Sequence, residues 1–143
     1  MKTLRDLTTN KPVYFVKIGQ SVFNVVTEMA KNNVGALPVL DDEGRLRGIF
    51  SERDLLIRCS AKKIDMDSTK IEDVMTKGVI VMEAPDTYEE CLNIMKQESI
   101  RHMPVRDGEK LVGMISMRDL MQVEADEKKQ EIENLNSYIY YYK

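Results

Sequence analysis

Histidine is almost missing from this sequence of 143 residues. His102 stands alone, which excludes a multi-histidine metal site within one subunit and leaves no credible Ser-His-Asp set. Cysteine is nearly as scarce: Cys59 and Cys91 cannot build a disulfide framework, and the chain reads as cytoplasmic. Long apolar runs are lacking too. They reach about four residues, as in Val79–Met82, against the roughly 20 that span a bilayer. The stretch Met1–Asp6 has none of the apolar character of a signal peptide, so no membrane partner is expected. Neither sign of charge dominates. The 21 Lys and Arg face 24 Asp and Glu, a net −3 that speaks against a nucleic-acid partner. No Walker-type glycine loop and no zinc-ligand spacing occur. What is present, 43% hydrophobic and 31% charged residues, suits one compact globular unit.

The chain is written twice. Gly48-Ile-Phe-Ser-Glu-Arg-Asp-Leu55 realigns with Gly113-Met-Ile-Ser-Met-Arg-Asp-Leu120 at an offset of 65, with five of eight positions identical. Further toward the N-terminus the offset is 66: Leu37-Pro-Val39 meets Met103-Pro-Val105, and Ser21–Asn24 meets Thr87–Glu90. The slip falls between Asp41–Gly44 and Arg106–Gly108, two turn compositions where length changes are tolerated. A further echo pairs Leu4-Arg-Asp-Leu7 with Ile71-Glu-Asp-Val74.

Periodicity repeats as well. Val22, Val25, Val26 and Met29 hold the i, i+3, i+4, i+7 spacing of an amphipathic helix, and Tyr88, Cys91, Leu92 and Met95 hold it again. Ser21 and Thr87 stand where N-caps belong, Thr87 with Glu90 in a capping box. A β-rich run precedes each helix (Val13–Val16 and Val79–Met82), and two apolar runs around a turn follow it. Each unit therefore reads β-α-β-β-α behind a short helical lead-in. Half a chain, roughly 60 residues, is marginal for burying its own core, so the two copies are expected to pack together. The predicted organisation is a first repeat over 1–60, a connector over 61–69, a second repeat over 70–123 and a helical tail over 124–143. In the tail, Ile132, Leu135, Ile139 and Tyr142 form a narrow seam, suited to the body or a second subunit, or simply one side of a surface helix.

Each Gly-φ-φ-Ser-x-Arg-Asp segment (φ apolar) sits at a strand-to-helix junction. Glycine there lets a backbone or a ligand come close. Ser51 and Ser116 fall at helix N-caps, whose free N–H groups and dipole favour an anion. Asp54 and Asp119, one turn in, can accept two hydrogen bonds from a ribose diol. The same residues also fit plain capping boxes, Ser51 with Asp54 and Ser116 with Asp119, with no ligand involved. The sequence fits both readings.

With Asp73-Val-Met-Thr76, Gly35-Ala-Leu-Pro-Val39, Arg101-His-Met-Pro-Val105 and both glycine–serine–aspartate segments in this order, the sequence resembles a tandem pair of cystathionine-β-synthase-type (CBS) domains, a Bateman module. The resemblance covers about residues 1–123. It implies an α+β fold of two pseudo-symmetric β-α-β-β-α repeats packed through their sheets, with two clefts, and it implies a homodimer. It also implies an adenosine-containing ligand: AMP, ADP or ATP, with NAD or S-adenosylmethionine next. Asp54 and Asp119 match the family's ribose positions, and Ser51 and Ser116 its ribose-phosphate positions. Val13, Tyr14 and Phe15, with Val79, Ile80 and Val81, match the segments that read the adenine edge. Leu37-Pro38 and Met103-Pro104 would sandwich the base.

The copies differ where Gly35-Ala36 becomes Arg101-His102. An arginine fork and an imidazole could bind phosphate there, or Arg101 could face water and His102 be structural. Arg53 and Arg118 could reach a phosphate or a helix-surface carboxylate. Cys91, on an apolar stripe, reads as inert core, and the ten methionines as flexible packing. The expected function is regulatory and non-catalytic: an adenine-nucleotide sensor acting on an effector protein or through its own dimer. The alternative is a structural dimerisation or protein-interaction module with empty clefts.

Overall fold

A computed structural model describes residues 2–141, with side chains through residue 135. Helix α1 (Leu4–Thr8) is followed by β1 (Val16–Lys17), α2 (Val22–Asn32), β2 (Ala36–Leu40), β3 (Leu46–Ser51) and α3 (Glu52–Asp54). The last runs straight into a π-helical segment, Leu55–Ser60. After a 3-10 turn at Ile71–Asp73 come β4 (Met82–Glu83), α4 (Tyr88–Glu98), β5 (His102–Asp107), β6 (Lys110–Ser116) and the long α5 (Met117–Tyr141). Two three-stranded sheets result, β1-β2-β3 and β4-β5-β6, each a short parallel strand beside an antiparallel hairpin.

Local chemistry accounts for the repeated elements. Ser21 Oγ accepts from Asn24 N–H at the start of α2, and Thr87 with Glu90 closes a reciprocal capping box at α4. Both helices end on a left-handed residue, Asn33 at φ +52° and Ser99 at φ +55°. Both hairpins carry a register shift at the same place, after Val39 and after Val105, and the one-residue offset change falls in the turns that follow. Leu37, Val39 and Phe50 pack on Val22, Val25 and Met29; Met103, Val105 and Ile115 pack on Cys91, Leu92 and Met95. Ala36, Leu40 and Ile49 are buried outside either cluster. They lie on the opposite face of the first sheet, toward the other repeat. There His102 Nε2 comes within 3.5 Å of where a Cβ on Gly35 would stand.

The lead-ins are exchanged. Leu4 is buried in the second repeat's core, and its N–H donates to Asp86 O at 2.8 Å while Arg5 N–H donates to Ala84 O at 2.8 Å. Ile71, Val74 and Met75 are buried in the first repeat's core, and Ile71 N–H donates to Gln20 O at 2.9 Å. Each lead-in therefore serves the repeat that does not follow it in sequence. This corrects the expected strands Val13–Val16 and Val79–Met82. After the lead-in the chain must cross to the other repeat, so only Val16 and Met82 of those runs reach the ladder. The tail is helical, as expected, and is not a separate element. Helix α5 is continuous from the second repeat through the expected boundary at 124, and Tyr88 Oη donates to Glu127 Oε2 at 2.6 Å to fasten it to α4. Ile139 and Tyr142 of the seam lie outside the residues whose side chains are described.

Candidate nucleoside-binding cleft

Both glycine–serine–aspartate segments form reciprocal capping boxes. Ser51 N–H donates to Asp54 Oδ2 at 3.0 Å and Asp54 N–H to Ser51 Oγ at 3.3 Å. Ser116 N–H donates to Asp119 Oδ2 at 2.9 Å and Asp119 N–H to Ser116 Oγ at 3.1 Å. The glycines make room for protein: a Cβ on Gly48 would stand 2.6 Å from Thr76 O, and one on Gly113 would stand 2.9 Å from Thr8 Cγ2. In each repeat the exchanged lead-in presses on the glycine strand.

Beyond the caps the two carboxylates part company. Asp54 is 7% exposed, and its second oxygen accepts from Thr76 Oγ1 at 3.0 Å with Arg58 Nε 3.6 Å away. Ser51 Oγ also donates to Oδ2, at 3.2 Å, so both oxygens of Asp54 are engaged. Asp119 is different: among the described residues no donor reaches its Oδ1, and the side chain lines a cavity of about 280 Å³. Leu7, Thr8, Lys11 and Pro12 wall that cavity on one side, Val112–Ile115 form its floor, and Gln122, Val123 and Asp126 continue along α5. It falls just under the about 300–1,000 Å³ of small-ligand sites. Gln122, Val123 and Asp126 stand three, four and seven residues beyond Asp119, the spacing of one helix face, so that periodicity could have added them from sequence. Nothing in the motif points to Lys11, which enters only because its lead-in is exchanged.

The other sequence-selected residues scatter. Leu37 and Met103, 1% and 0% exposed, are core residues of their repeats and have no free face to offer a base. Pro38 and Pro104 pair with Ile49 and Met114 on the opposite sheet face. Val79 and Val81 line a separate groove of about 640 Å³ with Arg45, Arg47 and Arg106, away from Asp54. Val13, Tyr14, Phe15 and Ile80 are exposed and line neither cavity. Arg53, Arg101 and Arg118 are exposed at the surface. His102 is half-buried beside Gly35 and Glu52, outside the lining of the Asp119 cavity.

Burial holds the His102 imidazole below its ordinary pKa of 6.5, opposed by the Glu52 and Asp119 carboxylates and assisted by Arg101. Folded His102 therefore resists a proton that the unfolded chain accepts. Stability from this source is full above pH 6.5 and falls as pH drops toward the lowered folded value, by at most about 1.4 kcal/mol per pH unit. Urea titrations at pH 7.5 and 5.5 should show wild type losing more stability on acidification than His102→Gln; equal losses would remove His102 from the acid response. Burial likewise raises the Cys91 thiol, to about 11, as its core position requires. Among the described residues no group of three or more His, Cys, Asp or Glu could hold a metal ion, and no helix is long and apolar enough to cross a membrane.

A family model for the CBS domain matches residues 4–60 and 71–126. The Bacillus subtilis protein YlbB is 34% identical over 121 residues, which make up 84% of this chain and 80% of that protein. A solved protein with CBS domains from Burkholderia ambifaria superposes with a TM-score of 0.78 at 31% identity, covering 85% of this chain and 93% of its own. A CBS domain protein from Pyrobaculum aerophilum, solved in complex with AMP, gives 0.75 at 27% identity over 82% of this chain and 89% of its own. Two matched copies, two sheets of identical order and relatives aligned along most of their length lead to one conclusion: this chain belongs to the CBS domain family and is a tandem CBS pair.

Proposed function

We propose that this CBS pair is a non-catalytic regulatory module that binds an adenosine nucleotide of the AMP, ADP or ATP type in the cleft beside Asp119. The observation that carries the reading is the Oδ1 of Asp119, which no donor among the described residues reaches, at the wall of a cavity one turn inside a long helix. A ribose diol donates to that oxygen, Lys11 is the cation facing a phosphate, and the apolar wall of Leu7, Pro12 and Val112 takes the base. The AMP complex of the Pyrobaculum aerophilum relative supports this ligand class. Asp54 has a different role here: it ties the crossing segment, through Thr76, to the first repeat. Because the cleft joins α1 to α5, a bound ligand favours one arrangement of the lead-in on the second repeat. That preference passes to an effector protein or to a homodimer partner.

Ligand at about 100 times its Kd stabilises by about 2.7 kcal/mol, a Tm rise of several degrees. With AMP in a thermal-shift assay, Asp119→Ala is expected to lose that rise, whereas Asp54→Ala keeps it on a lowered baseline. The opposite pattern would relocate the site to the first repeat. No shift for wild type with AMP, ADP, ATP, NAD or S-adenosylmethionine would instead favour a structural interaction module with empty clefts, a reading for which the fully engaged Asp54 already speaks.

A further inference from the structure

Helix α5 carries a second stripe that the cleft does not use. Met121, Ala125, Lys128, Ile132 and Leu135 follow one another at intervals of four and three, and the sequence continues the spacing to Ile139 and Tyr142. This is a heptad seam with Ala125, Ile132 and Ile139 at a positions and Met121, Lys128, Leu135 and Tyr142 at d positions. Its described residues, from Met121 to Leu135, lie on a different side of α5 from Leu120, Val123 and Glu127, through which the helix contacts the body. Along the seam Met121 is 47% exposed, Ile132 58% and Leu135 56%. Large apolar residues in this periodicity, on a helix projecting past its own core, lack a cover within the described residues.

We infer that the cover is α5 of a second copy, packed parallel as a two-stranded coiled coil. The pairing Ile at a with Leu at d, as at Ile132 and Leu135, favours two strands. Charge selects the direction. Glu124 is at a g position and Lys129 at the following e position, so a parallel partner sets each Glu124 against the other chain's Lys129. In an antiparallel pair g faces g and e faces e, so the attraction between Glu124 and Lys129 is lost. Lys128, at a d position, already pairs with Glu124 of its own chain at 3.1 Å, so its stem lies on the seam while its charge stays at the rim. A seam of about three heptads nucleates poorly in isolation. Here the capping box at Ser116 and the docked first turns of α5 supply the nucleus. The inference does not depend on which ligand fills the cleft.

Sedimentation equilibrium on the full chain tests it. Ile132→Glu combined with Leu135→Glu is expected to raise the dimer dissociation constant at least about tenfold; both side chains are exposed, so the fold is kept. Direction is read separately from Ile132→Cys, which in a parallel pair places like residues together and forms a covalent dimer on mild oxidation. Cys59 and Cys91 are buried and do not compete. Unchanged association of the double variant, a monomeric wild type, or Ile132→Cys that associates without cross-linking would each overturn the parallel α5 pair.

Discussion

Leu4→Ala is expected to destabilise the protein by about 2–5 kcal/mol, and to loosen the second repeat rather than the first. Leu4 is fully buried among Met82, Tyr88, Leu92 and Met103, and the backbone around it is bonded to Ala84 and Asp86. Its counterpart Ile71 is fully buried among Val22, Val25 and Phe50, so Ile71→Ala carries a cost of the same size on the first repeat. Native-state hydrogen exchange distinguishes the two. Leu4→Ala should raise exchange in α4 and β5, and Ile71→Ala in α2 and β2. If Leu4→Ala opened α2 first, the exchange of lead-ins would be refuted. The salt bridge of Arg5 with Asp107 at 2.7 Å lies over the same contact, but both groups are about half exposed and add little.

Gly48→Ala should be the more damaging of the alanine substitutions at the two motif glycines. Its new Cβ meets the Thr76 carbonyl oxygen at 2.6 Å and Met75 Sδ at 2.7 Å, and the carbonyl cannot step aside because Ile49 N–H donates to it at 3.0 Å while Thr76 N–H donates to Ile49 O at 2.8 Å. The equivalent Gly113→Ala meets only the Thr8 side chain, Cγ2 at 2.9 Å and Cβ at 3.3 Å, and no backbone atom. Overpacking of this kind costs about 1–3 kcal/mol. Gly48→Ala is expected near or above the top of that range and Gly113→Ala near the bottom, measured by urea denaturation. Equal costs would mean that Thr76 and Thr8 press on their glycines alike. Because Thr76 also holds Asp54, Gly48→Ala should in addition release that carboxylate.

The two clefts show where reading a sequence stops. Ser51-x-x-Asp54 and Ser116-x-x-Asp119 are indistinguishable as text, and both form the same cap. What separates them is a hydroxyl from Thr76, 22 residues away, and the guanidinium of Arg58, where the second repeat has Val123. Leu37 and Met103 teach a related lesson. Strand alternation says that neighbours point to opposite faces, but it does not say which face is the core. Only the position of α2 and α4 turns Leu37 and Met103 inward, leaving Pro38 and Pro104 on the other side.

Local interactions are what the sequence by itself determined. Caps, hairpins, left-handed helix ends and amphipathic stripes depend on residues one to four apart or on one turn, so the duplicated pattern yields the same elements twice. The tertiary structure alone decided which lead-in joins which core, how little of each β-rich run pairs, and which carboxylate keeps an oxygen free. Those outcomes depend on contacts between segments tens of residues apart, as between Leu4 and the second repeat's core and between Ile71 and the first, which no local pattern fixes.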